Sequence, residues 1–170
     1  FEENSFTGQE FLPSVRLAWR RPAGDLLWGA VSRATRTPNR IERDLIFPGF
    51  LEPADFQSEL LTAFEVGYRA NPTPRSSLSV SAFYNVYDDL RTVTIDPVNV
   101  FPLRFANGGE GETWGIEAWG SFDVTDRWRL SAGLSTLEKD FRVEAGALDI
   151  SGLASVGADP EYQILLHSQF

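Results

Sequence analysis

A chain of 170 residues with 42% apolar side chains is long enough for one folded domain with a sizeable core. Its net charge of -9 and pI near 4.6 leave no basic surface to neutralise phosphates, which excludes a nucleic-acid binder. Cysteine is absent, which removes disulfides, thiolate metal sites and cysteine nucleophiles, and no run of about 18 apolar residues exists to form a transmembrane helix.

Taken in chain order, the sequence reads as about seven strands. PSVRLAWRR (13–21) sets Val15, Leu17 and Trp19 against Ser14, Arg16 and Ala18, and a PAGD turn leads into DLLWGAVSR (25–33). SELLTAFEVGYRA (58–70) alternates Phe64, Val66 and Tyr68 with Ala63, Glu65, Gly67 and Arg69. After a short NPTPRSS connection, LSVSAFYNVYDDL (78–90) places Leu78, Val80, Ala82, Tyr84 and Val86 on one face and Ser79, Ser81, Phe83, Asn85 and Tyr87 on the other. The next strand divides into Trp114, Ile116, Ala118, Gly120, Phe122 and Val124 against Gly115, Glu117, Trp119, Ser121 and Asp123. A turn at Thr125-Asp126 opens a sixth strand with Trp128, Leu130, Ala132 and Leu134 in its apolar set, and EYQILLHSQF (161–170) is the seventh.

The connections alternate between short ones, after Arg21, Ala70 and Val124, and long ones at about 34–58, 92–111 and 139–160. Structureless loops of that length are uncommon in soluble domains, but long loops at one end and short turns at the other are the asymmetry of an outer-membrane barrel. A β-barrel is also the one spanning structure open to a chain without an apolar helix, because hydrocarbon offers no water to an unpaired backbone. Trp19, Trp28, Tyr68, Phe122 and Trp128 lie near the short turns and read as one interfacial girdle, with Tyr84 and Trp114 as a second. The segment from Trp114 to Val124 matches the roughly 9 to 11 residues that a tilted strand needs to cross the hydrocarbon. The expected fold is all-β: an antiparallel up-and-down meander forming part of a large transmembrane β-barrel. A soluble β-sandwich, with Trp119 and Tyr87 as carbohydrate-stacking platforms, accounts for the alternation equally well but not for the girdles.

The stretches ENSFTGQEFLPSVRLAW, LLWGAVSRATRTPNR, SELLTAFEVGYRA, SAFYNVYDDLRTV and NGGEGETWGIEAWGSF, in that order, resemble the barrel of TonB-dependent outer-membrane receptors. The resemblance spans nearly the whole chain. It implies a bacterial outer-membrane location, a barrel of about 22 strands filled by a plug domain, and import of a scarce nutrient such as a ferric siderophore. Its implied partners are outer-membrane lipid and lipopolysaccharide, the plug, the TonB protein and a small-molecule ligand of unknown identity. Residues 1–170 are expected to be a partial barrel domain without plug, with Phe170 a boundary and not a natural end.

External loops are where such receptors capture ligand, so Arg33, Arg36, Arg40 and Arg43 are the candidate ligand-binding set, forks suited to carboxylate, phosphate or chelate oxygens. Their bland alternative is a solvated loop facing lipopolysaccharide phosphates. Glu65, Glu117 and Trp119 belong to the polar set and are expected to face the lumen and plug. As a carboxylate pair the two glutamates could belong to a small β-rich hydrolase, a reading their spacing does not establish. The lone histidine, His167, has no triad partner and reads as a polar-face strand residue. Asp88-Asp89 and the GGEGE run at 108–112 lack calcium-loop spacing, and the glycines read as turn formers. No catalytic residues, resident metal or cofactor are expected.

Overall fold

The computed structural model describes residues 2–4, 7–52, 55–95, 98–145, 147–153 and 159–170. β1 (Glu2–Asn4) and β2 (Gly8–Glu10) pair as a small hairpin. All other strands form one antiparallel sheet: β3 (Ser14–Arg20), β4 (Leu26–Arg36), β5 (Glu59–Thr73), β6 (Ser76–Thr94), β7 (Arg104–Thr125), β8 (Trp128–Thr136), β9 (Glu138–Val143) and β10 (Tyr162–Gln169). The order across the sheet is β10-β8-β7-β6-β5-β4-β3, and β9 continues on β7 beyond the end of β8. Sequence neighbours are therefore sheet neighbours, which is the expected meander. The only helix among the described residues is α1 (Arg40–Asp44).

Because side chains alternate and the pairing is antiparallel, the register propagates each face from strand to strand. Leu17, Gly29, Val66, Ala82 and Ile116 occupy one row, and Phe122, Leu130 and Ser168 another on the same face. The opposite face carries Arg16, Ala30, Glu65, Phe83 and Gly115 in one row, and Ser77, Ser121, Ser131 and His167 in another. The apolar face is bare: Leu17 is 74% and Leu166 78% exposed. Buried apolar side chains among the described residues are Ala30, Leu51, Phe56, Ala70 and Leu153, too few and too scattered to be the core of a two-layer protein. A sandwich would bury this face against a second sheet. Here the apolar side chains are left uncovered, as lipid-facing strands require.

Three expectations change. Trp28 pairs in register with Ala18 and Gly67, which places it on the polar face with Glu117 and not in the outer girdle. The sequence from Leu26 to Val31 is apolar in both alternate sets, so local pattern does not choose its side. Gly67 provides the seat, since a Cβ there would stand 2.3 Å from the Trp28 indole. Second, the loops are shorter. β4 runs to Arg36, the β6–β7 ladder to Thr94↔Arg104, and β9 to Val143, so strand occupies the edges of all three segments read as loop. The ladder survives there by register shifts between Tyr87 and Thr92, where Asp89 takes a left-handed φ of 58°. Third, the GGEGE run lies inside β7 and forms no turn. Its glycines make room for side chains, Leu153 over Gly109 and Phe141 over Gly111.

Candidate functional site

On the apolar face, Phe64, Tyr84 and Trp114 stand side by side in one register row toward the long-loop end. Phe64 and Tyr84 rings are 6.4 Å apart. Phe64 shares this row, an aromatic that the sequence reading placed on this face but left out of its expected girdle. Toward the short turns the same face holds Trp19, Tyr68, Phe122 and Trp128. Trp114 and Phe122 are separated along β7 by about 27 Å, at about 3.4 Å per residue, which suits a tilted strand crossing a hydrocarbon layer. The hydroxyl of Tyr68 donates to Asp25 Oδ2 at 2.7 Å, and Trp128 stacks on Phe170 at 5.4 Å while its indole N–H donates to Ser168 at 3.0 Å. Tyr68 and Trp128 thus each have an apolar body on the sheet and a polar end near a turn, the preference of interfacial aromatics. At that turn Arg21 also grips Asp25, and the Arg21 and Tyr68 hydrogen bonds hold the Asp25 carboxyl down to about 2.

The polar face carries Glu65, Glu117 and Trp119. Strand β6 stands between the two glutamates and their rows differ by two residues, which leaves them about 12 Å apart at about 4.8 Å per strand and about 3.4 Å per residue. That separation does not form the close carboxylate pair of a retaining glycosidase. Arg129 reaches across to Asp123 at 2.6 and 3.1 Å, a charge pair along the wall.

At the long-loop end of the polar face lies a cleft of about 480 Å³, lined by Arg36, Glu59, Tyr87, Arg91, Phe141 and Leu153 among others. A larger hollow of about 630 Å³ lies beside β10. Its shape depends on an edge strand that has one neighbour among the described residues, so it is the weaker candidate.

Behind the cleft wall, one buried carboxylate, Glu42, 3% exposed, holds the two lining arginines, Arg36 and Arg91. Asn39 caps α1 by accepting the Glu42 N–H at 3.0 Å, and Glu42 Oε2 returns the bond by accepting the Asn39 N–H at 2.9 Å. The same carboxylate accepts both Nη atoms of Arg36 at 3.1 Å and Nη1 of Arg91 at 3.1 Å. Burial pushes the Glu42 carboxyl up, but the Arg36 guanidinium, the Asn39 N–H and Arg91 together outweigh it and hold its pKa below the ordinary value. Arg36 also bonds Glu59 through Nε and lies 5.8 Å over the Phe56 ring; Arg91 lies 5.9 Å over Phe105. Phe56 is fully buried, 6.4 Å from Phe105. The network ties the first loop to β4, β5 and β6.

The four arginines read from the sequence are not brought together. Arg33 follows the apolar face in register with Thr62, Arg36 is committed to Glu42 and Glu59, Arg40 is exposed at the start of α1, and Arg43 is half-buried in its last turn. The cation the structure adds to the cleft is Arg91, for which no sequence signal exists. Glu42 did have one: Asn39-x-x-Glu42 is a capping-box spacing that announces a helix start. Opposite these charges, Tyr87 and Phe141 meet edge to face at 5.6 Å. Among the described residues no group of three or more His, Asp or Glu is placed to hold a metal. The chemistry offered is recognition by ring faces and guanidinium donors.

The family model described as TonB dependent receptor-like, beta-barrel matches residues 2–163. Among solved structures, the siderophore receptor PirA from Acinetobacter baumannii superposes with a TM-score of 0.71 at 16% identity, over 94% of this chain and 26% of that one. The FrpB iron transporter from Neisseria meningitidis (F3-3 variant) gives 0.63 at 18%, over 76% and 20%. The copper transporter OprC gives 0.57 at 18%, over 75% and 20%. No curated protein sequence matches the chain. The chain spans about a quarter or less of the length of these solved proteins, and at such identities the likeness speaks for the fold. The family is one of outer-membrane receptors and not of enzymes. With its single meander, bare apolar face and polar face, and with a family match over almost its whole length, the chain belongs to the TonB dependent receptor-like β-barrel family.

Proposed function

We propose that the chain is a wall segment of a bacterial outer-membrane uptake receptor that imports a scarce nutrient, such as a ferric siderophore, with a plug and TonB completing the machine. The observation that carries this reading is the exposed apolar face bounded by aromatic rows, in a chain of this family. That face would lie against lipid and, at its long-loop end, lipopolysaccharide. Glu65, Glu117, Trp119 and Trp28 would then face the plug. The cleft at the rim, with Arg91, Tyr87 and Phe141, is the part of this wall offered to the nutrient.

The test uses the full-length receptor in an outer membrane, with radiolabelled iron presented as a panel of ferric chelates and, separately, copper. Uptake of at least one that needs both receptor and TonB is expected, and Arg91→Ala should lower it. If no chelate or copper salt shows receptor-dependent uptake, the nutrient-import reading fails.

A further inference from the structure

We propose that residues 149–153 form a detachable strap that makes one wall of the rim cleft, with Asp149 as its latch and Leu153 plugging the trough over Gly109. The proposal rests on the reading of that cleft as the nutrient-facing part of the wall.

The strap exists because β6 outruns β5. Their ladder ends at Leu60↔Asp88, while β6 continues to Thr94 paired with β7 alone. The edge that β5 would have covered offers unpaired backbone groups, which a folded chain must satisfy by other means. Side chains replace the missing strand. Asn107 Nδ2 donates to the Asp89 carbonyl at 2.7 Å, and Glu59 Oε1 accepts the Arg91 N–H at 2.7 Å. One step farther, Asp149 Oδ1 accepts the Val93 N–H at 3.0 Å and the Ile150 N–H donates to the Val93 carbonyl at 2.9 Å. The strap therefore docks on both backbone groups of one residue.

Asp149 also folds the strap. Its Oδ1 accepts the Ser151 N–H at 2.9 Å and hydroxyl at 2.6 Å, and its Oδ2 accepts the Leu153 N–H at 2.9 Å. One carboxylate thus sets both where the segment sits and how it turns, and it delivers Ser151 and Leu153 to the cleft wall. Leu153 is 6% exposed, whereas Ile150 is 52% exposed. A Cβ at Gly109 would stand 2.2 Å from Leu153 Cδ2, and one at Gly111 would stand 2.1 Å from Phe141 Cδ1, so the two glycines floor a trough that these side chains fill. With Leu153 withdrawn, the trough is walled by Leu90, Tyr87 and Phe141, with Arg91 nearby. The trough so opened takes an apolar group of about the size of a leucine side chain, for which Leu153 is the placeholder.

The experiment compares single-cysteine variants of the full-length receptor, Leu153→Cys and Ile150→Cys, labelled with a membrane-impermeant maleimide, with heat-modifiable electrophoretic mobility reporting barrel assembly. Cysteine at 153 should react about tenfold or more slowly than at 150. Adding Asp149→Ala removes charge-assisted bonds and should bring the two rates within about threefold. Asp149→Asn, which keeps one acceptor oxygen, should fall between, and carries the comparison should the alanine variant fail to assemble. Fast labelling at 153 in the parent, or a rate at 153 indifferent to Asp149 in an assembled barrel, overturns the proposal. Nutrient uptake is not part of this readout, so loss of the strap and loss of the uptake reading are separate outcomes.

Discussion

Arg36 is the residue on which a ligand-fork reading and a structural reading part company. Replacing it with methionine keeps much of the stem's packing but removes two of the hydrogen bonds that Glu42 accepts, leaving the Asn39 N–H and Arg91. Hydrogen bonds to a charged group are each worth about 1.5–3 kcal/mol, and a buried carboxylate left short of partners bears most of that loss. The Arg36 side chain is 44% exposed, so solvent screening reduces the figure. A net loss of about 2 kcal/mol is expected, confined to the docking of α1 and the surrounding loop, equivalent to about 30-fold in a local opening equilibrium. Amide hydrogen exchange on the full-length receptor should show that acceleration for peptides covering residues 39–47, with β8 and β10 unchanged. Glu42→Gln in the same background removes the orphaned charge while retaining an acceptor for Asn39, and should recover at least about 1 kcal/mol. If Arg36 instead held a ligand directly, Glu42→Gln could not restore uptake. Exchange in Arg36→Met within about threefold of the parent, or strictly additive behaviour of the double variant, would refute the reasoning.

Other consequences are as direct. Because the Glu42 pKa is lowered in the folded protein, its contribution is complete above the ordinary value of 4.5 and is lost as pH falls below it; a carboxyl carbon-13 titration midpoint at or above 4.5 would contradict the network. Asp25, lowered from 3.8 to about 2, should keep its Arg21 and Tyr68 bonds down to that range and lose its contribution between the two values, seen as a titration midpoint near 2. Gly67→Ala should force the Trp28 indole off its seat, at a cost of about 1–3 kcal/mol, visible as a lower unfolding temperature and altered tryptophan emission; Trp28→Ala in the same background should relieve it. The isolated chain, with β3 and β10 as open edges and a bare apolar face, should aggregate in plain buffer and disperse in detergent, and a detergent-free monomer in sedimentation would count against a lipid-facing sheet.

The strands and their faces were legible in the sequence because alternation is a local property: Trp114 to Val124 and Leu78 to Val86 sort themselves without reference to any partner. That Tyr84 and Trp114 share a face followed from the same pattern. Alternation alone did not separate a barrel wall from a sandwich, since both want one apolar face; the single sheet with nothing packed on it made that choice. Where both alternate sets are apolar, as from Leu26 to Val31, the pattern is silent, and the side taken by Trp28 was set by its register with β3 and β5 and by the room above Gly67. The arginines looked equivalent because composition records charge without partners. Their separation depends on Glu42, Glu59 and Arg91, which lie 6, 23 and 55 residues from Arg36 and meet only after β4, β5 and β6 have paired. Strand length was decided the same way, by a neighbour: β6 and β7 extend past β5 because each satisfies the other's backbone, and the edge left bare then required Asn107, Glu59 and Asp149 to cover it. Periodicity fixes what one strand can compute from itself, whereas sides, partners and ends depend on contacts that exist only once the sheet has formed.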